Sequence, residues 1–139
     1  MVGIVIAAHG GFADGLKDAI RVITGQQSRL VTVSLRDGDN IEGLKDRILS
    51  SIKKVDDGNG CVIFTDLFGA SPANAAAYLM DDKIIVISGA NLPMILEILA
   101  VRNTLSVEEI AKIAVKAGRQ SIKNLNDLLL EAIRKERAK

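Results

Sequence analysis

The chain has 139 residues, 48% of them apolar and 25% charged, which suits one domain with a substantial buried core. Its 18 basic side chains nearly cancel 17 acidic ones, so neither nucleic acid nor an anionic membrane surface is expected as a partner. Aromatic residues make up 3% of the chain and tryptophan is absent, which argues against base-stacking platforms and aromatic cages. There is a single histidine, His9, and a single cysteine, Cys61. An internal disulfide and a Cys/His metal cluster are thereby excluded, and no metal or cofactor is expected. The longest apolar stretch, Val2 to Ala8, is too short for a bilayer and lacks the charged start of a secretory signal. A cytoplasmic protein is the expectation.

The apolar run Val2 to Ala7 predicts a buried strand ending at the turn His9-Gly10-Gly11. Phe12, Leu16, Ile20 and Ile23 follow at helical spacing and stop before Gly25. Arg29 to Leu35 predicts a second strand. After the polar stretch Arg36 to Asn40, the residues Ile41, Leu44, Ile48 and Ile52 mark a second helix with Asn40 as its N-cap. Asp56 to Gly60 is a turn, and Cys61 to Thr65 a third strand. Ser71 and Pro72 fit an N-cap followed by proline at the first helical position, opening an alanine-rich helix through Met80. Lys83 to Ser88 is the fourth strand and Gly89 to Leu92 a loop, with Pro93 opening a helix from Met94 towards Val101. Ser106 with Glu109 has capping-box spacing and heads a helix that stops near Gly118.

Strands this continuously apolar, alternating with amphipathic helices, imply an α/β fold: a doubly wound, mostly parallel central sheet with helices on both faces. No linker interrupts it. Residues 1–125 form the domain, and 126–139 are an amphipathic helical tail of the same domain. From Arg119 onward six basic residues face three acidic ones, and Leu125, Leu128, Leu129, Ala132 and Ile133 form a stripe. That stripe either packs the tail on the surface of the domain or marks a subunit contact.

Ligands of an open parallel sheet sit beyond the carboxyl ends of its strands. Four loops fall on that edge: Ala8 to Gly11, Arg36 to Asn40, Asp66 to Ala70, and Gly89 to Leu92. The first holds His9, followed by two glycines that let another molecule approach the backbone. A neutral imidazole is a competent nucleophile as well as a base. Asp66 is the first residue after its strand. If the two strands are neighbours, its carboxylate can take one ring N–H and leave the other nitrogen free to attack. The helix start at Ser71 offers free N–H groups and a hydroxyl for a phosphate. No P-loop, dinucleotide fingerprint or serine-hydrolase elbow is present. Asp37, Asp39, Asp56, Asp57, Asp81 and Asp82 fit solvated turn charges, and Cys61 fits inert packing.

The opening V-G-I-V-I-A-A-H-G-G, the run F-T-D-L-F-G-A-S-P-A-N at Phe64 to Asn74 and the S-G-A-N-L-P-M at Ser88 to Met94 together resemble the IIA component of mannose-type phosphotransferase sugar-uptake systems. The resemblance spans Val2 to Asn124. It implies that His9 accepts a phosphoryl group from the phosphocarrier protein HPr and passes it to a IIB subunit, which serves the membrane subunits IIC and IID. It implies too that Asp66 orients the His9 ring, that Gly10, Gly69, Ala70 and Ser71 receive the phosphate, and that no cofactor takes part. Family members are cytoplasmic homodimers that exchange a C-terminal strand, which here would lie near Ser121 to Leu125. A free-standing IIA subunit without a IIB domain is implied. Leu67 and Ala70 depart from the family pattern, which has a small hydroxyl residue and a glycine at those places. With so little charge in the loops, Phe12 and Phe68 are the candidates for docking partner proteins.

A receiver-like domain phosphorylated on Asp66 would need an acidic pair after the first strand, where Ala8, His9 and Gly10 stand instead. A phosphodonor or regulatory subunit of the same fold, serving a dihydroxyacetone kinase or a transcription regulator, is the alternative; the S-P-A-N run favours sugar uptake. A scaffold without chemistry is disfavoured by the placing of His9 and Asp66.

Overall fold

The computed structural model describes all 139 residues. Four strands, β1 (Gly3–His9), β2 (Leu30–Leu35), β3 (Cys61–Thr65) and β4 (Ile84–Ser88), alternate with helices α1 (Phe12–Thr24), α2 (Ile41–Val55) and α3 (Ser71–Ala77). Helices α4 (Leu92–Leu99), α5 (Val107–Gln120) and α6 (Leu125–Arg137) follow. The sheet is parallel throughout, in the order β2-β1-β3-β4. No helix is long and apolar enough to cross a membrane.

Both faces of the sheet are covered, which is why β1 is buried at every position from Gly3 to Ala8 rather than at alternate ones. Ile4, Ile6 and Ala8 point into a core with Phe64 and Ile87, closed by α1, α4 and α5. Val5 and Ala7 point to the other side, where Ile63 and Cys61 meet Leu44, Ile48 and Ile52 of α2 and Ala75 and Ala76 of α3. A fully buried isoleucine contributes about 2 to 3 kcal/mol by apolar burial, so these two layers hold the strands in register. Gly3 is glycine for a steric reason: a Cβ there would lie 2.7 Å from the Val55 carbonyl oxygen at the end of α2.

The doubly wound parallel fold is as expected, but several boundaries differ for local reasons. Strand β1 starts after Val2, whose N–H goes to the Arg102 carbonyl, and it runs on through His9, paired with Leu35. Arg29 lies outside β2 because its φ is 51°, in the left-handed region. Lys83 lies outside β4 because the Asp81 carboxylate takes the Lys83 and Ile84 amides in a turn. Ser71 is not the N-cap of α3. Ala70 holds that place with extended backbone, and Ser71 is the first helical residue. The same helix stops at Ala77 rather than Met80, since Leu79 and Met80 bond back only three residues. Helix α5 ends at Gln120, near Gly118 as expected, and Gly118 itself is buried in the last turn, where a Cβ would strike Met94.

Other signals hold. Asn40 and Ser106 cap α2 and α5 by accepting the Gly43 and Glu109 amides, and Asp56 accepts the Gly58 and Gly60 amides in its turn. The tail is helical, but it is not packed down by its leucines: no residue of α6 is buried, and Leu125, Leu128, Leu129 and Ile133 are exposed. Of Ser121 to Leu125, near which the resemblance implies an exchanged strand, residues 122–124 are irregular in the single chain and Leu125 opens α6.

Arg102 is buried, 2% exposed, at the amino end of the sheet. Its guanidinium donates to the carbonyls of Ser28 and Arg29. Burial pulls its pKa down, with the nearby Arg29 charge acting the same way. Arg102→Leu removes both donors and is expected to cost about 2 kcal/mol, seen as a lower urea midpoint with an unchanged slope.

Candidate active site

The strand order reverses at β1. From it the chain moves to β2 on one side through α1, then crosses back through α2 to β3 on the other. The two crossovers cover opposite faces, so the carboxyl ends of β1 and β3 flank an open crevice. His9 is the last residue of β1. In the β1–β3 ladder Ala7 pairs with Thr65, so Asp66 leaves β3 beside the end of β1.

One carboxylate oxygen takes both hydrogen bonds that join the two residues. Asp66 Oδ2 accepts the His9 backbone N–H at 3.0 Å and lies 2.8 Å from His9 Nδ1. The carboxyl group is mostly buried, at 15% side-chain exposure, while the imidazole is 46% exposed. Burial works to raise the Asp66 pKa, but the His9 backbone and ring outweigh it and hold the carboxyl below its ordinary value. An ionised carboxylate only accepts, so this bond calls for a proton on Nδ1, and in the neutral ring the lone pair then falls on Nε2. Asp66 Oδ1 is buried without a hydrogen-bond partner, and His9 supplies the main bonds to the carboxylate.

The surrounding loops keep this edge accessible. Gly10 has φ +54° and Gly69 φ +82°, both in the left-handed region, and a Cβ at either would meet nothing within 4 Å. Gly10 donates its N–H to the Leu35 carbonyl at 2.9 Å, tying the histidine loop to β2. Helices α1 and α3 have Gly11 and Ala70 at their N-cap positions and no side-chain cap, whereas α2, α4, α5 and α6 are capped by Asn40, Asn91, Ser106 and Asn124. The two helices that start beside His9 therefore leave their first-turn amides free. Ser71 and Ala73 are among those of α3, while Pro72 has none to offer. Ser71 is exposed at the start of the helix. Among apolar side chains on these loops, Phe68 is 89% exposed, Leu67 59% and Phe12 42%.

Sequence reasoning missed two supports below the site. Thr65 and Ser88 join their hydroxyls at 2.7 Å across β3 and β4, and the Thr65 carbonyl accepts the Ala90 N–H at 2.9 Å. A hydroxyl residue at the end of both β3 and β4 was the available signal. Cys61 is as inert as expected, since burial pushes its thiol up to about 12. Asp39 is a turn residue held by Arg47 at 3.0 Å.

A sequence model for the family described as the PTS system fructose IIA component, EIIA-man, matches residues 3–115. The chain belongs to this family. It is 30% identical over 112 residues to the PTS system fructose-specific EIIA component of Bacillus subtilis, covering 79% of this chain and 77% of that one. Identity to the PTS system mannose-specific EIIAB component of Escherichia coli is 33% over 127 residues, which are 89% of this chain but 39% of that longer protein. Among solved structures, the phosphotransferase system component EIIA from Streptococcus agalactiae superposes with a TM-score of 0.84 at 26% identity, over 91% of this chain and 99% of that one. As a IIA component of the mannose type, the chain is a phosphotransferase component of sugar uptake.

The lowered pKa of Asp66 has a defined sign. A carboxyl whose folded value lies below its unfolded one adds stability above the unfolded value and loses it as pH falls through the folded one. The stability difference between the native chain and Asp66→Asn should therefore shrink as the solution is acidified from neutrality into the carboxylate range. Urea unfolding at a series of pH values checks this; a difference independent of pH would contradict an ionised Asp66.

Proposed function

We propose that His9 is the phosphoacceptor, taking a phosphoryl group from phosphorylated HPr and passing it to a IIB subunit that serves the membrane subunits IIC and IID. The observation that carries this reading is the bond between His9 Nδ1 and Asp66 at 2.8 Å, which leaves Nε2 as the nucleophile. Its lone pair forms the new N–P bond while the P–N bond to the donor's imidazole breaks. The ring then becomes cationic, and the Asp66 carboxylate stabilises that charge at Nδ1. Asp66 is already ionised and in place, so little reorganisation is needed as the charge develops.

Gly10, Gly69, Ala70 and Ser71 form the phosphate cradle in this account. Support comes from the uncapped start of α3 and from the open approach over Gly10 and Gly69. Ala70 in place of a second glycine keeps its backbone N–H, so that contact is retained through the main chain. Phe12, Leu67 and Phe68 form the apolar surface on which HPr and the IIB subunit dock in turn. The reaction takes place in the cytoplasm, between protein surfaces, and requires no cofactor.

Incubation with phosphoenolpyruvate, enzyme I and HPr should place one acid-labile phosphate on His9, and His9→Ala should take none. Asp66→Ala should fold and slow transfer by on the order of 100-fold. An acyl phosphate on Asp66, or labelling of the His9→Ala chain, would overturn the assignment. The chain is also proposed to be a homodimer, with a C-terminal strand near Ser121 to Leu125 exchanged between subunits. Sedimentation at micromolar concentration should then give twice the monomer mass, and a monomer alone would refute it.

A further inference from the structure

The carboxyl edge of the sheet carries very little positive charge. Across the loops Ala8 to Gly11, Arg36 to Asn40, Asp66 to Ala70 and Gly89 to Leu92, Arg36 is the only lysine or arginine. Its place is fixed by the strands. His9 pairs with Leu35 in the β1–β2 ladder, so Arg36 is the first residue beyond the ladder on the strand next to His9. Adjacent strands lie about 4.8 Å apart. The Gly10 N–H bonds the Leu35 carbonyl at 2.9 Å, which locks the peptide leading into Arg36 against the one leading out of His9.

The backbone of Arg36 is held at both ends while its guanidinium stays free. Its N–H donates to Asp39 Oδ2 at 2.7 Å, and its carbonyl accepts the Asp39 N–H at 3.1 Å. The same Asp39 oxygen takes the Arg47 guanidinium at 3.0 Å, so Arg47 balances the charge of that carboxylate. Arg47 spends another N–H on the Ser34 carbonyl at 2.9 Å. The Arg36 side chain is exposed and makes neither a hydrogen bond nor an ion pair. A guanidinium on a long stem, anchored next to His9 and without a partner of its own, is suited to bidentate contact with phosphate oxygens.

We propose that Arg36 supplies the cationic contact to the phosphoryl group on His9, steadying its charge in transfer and while it is carried. This rests on His9 being the phosphoacceptor. The contact complements the free amides of α3, which carry no full charge. It leaves the bonds and proton of the transfer unchanged.

The test is single-turnover transfer from phosphorylated HPr to the native chain, Arg36→Ala and Arg36→Lys, with HPr varied to saturation. Hydrolysis of the isolated phosphorylated chains is followed alongside. Arg36→Ala should lower the saturated rate about tenfold, the effect of losing one charged contact worth about 1.4 kcal/mol, and should shorten the lifetime of the phosphohistidine. Arg36→Lys should recover part of both. An unchanged saturated rate and lifetime would overturn the proposal, as would a change confined to the HPr concentration needed, which would assign Arg36 to docking. A native chain that takes no label on His9 would remove the underlying reading as well, an outcome distinct from equal labelling of native and variant chains.

Discussion

A single carboxylate oxygen, Asp66 Oδ2, organises the site. It accepts the backbone N–H of His9 and faces its ring nitrogen, so the position and the orientation of the imidazole are set by one group. The condition for this is the pairing of β1 with β3. In that ladder Ala7 lies opposite Thr65, which carries the histidine at one strand's end to the aspartate that begins the next loop. The apolar layers on both faces of the sheet serve the chemistry indirectly. They hold the register, and a slip of one residue would separate the two groups.

The division of exposure between the pair suits an exchange between proteins. Asp66 is largely withdrawn from water, whereas nearly half of the His9 side chain is open. The buried charge acts on the ring through a short bond with little solvent screening, and the ring remains available to an incoming macromolecule. Phe12, Leu67 and Phe68 lie exposed around it, and α1 and α3 start beside it without side-chain caps. Partner recognition by such a surface needs little net charge, in keeping with a chain whose basic and acidic residues almost cancel.

Much of this was legible in the sequence, and the failures have local causes. A seven-residue strand buried on both faces leaves a long apolar run, and a lone histidine at its end is conspicuous. Asp66 was legible as the first polar residue after Cys61 to Thr65. Less legible were the ends of elements, where a single hydrogen bond decides. Asp81 withdraws Lys83 from β4, and extended backbone at Ala70 makes it the cap in place of Ser71. Gly118 marked the end of α5 to within two residues, but its small size also admits Met94 against the helix. The leucine stripe of α6 had the period of a packed helix, yet periodicity alone does not say what covers the stripe. The Thr65–Ser88 link and the placing of Arg36 beside His9 depend on strand order, which no local pattern contains.

The chemistry turns on which nitrogen of His9 is free to react. Nitrogen-15 NMR of the imidazole, before and after phosphorylation, tests it most directly. The account requires a proton on Nδ1 and a bare Nε2 in the neutral ring, followed by coupling of phosphorus to Nε2 with Nδ1 still protonated. A proton on Nε2 in the unmodified protein, or phosphorus bound to Nδ1, would contradict it.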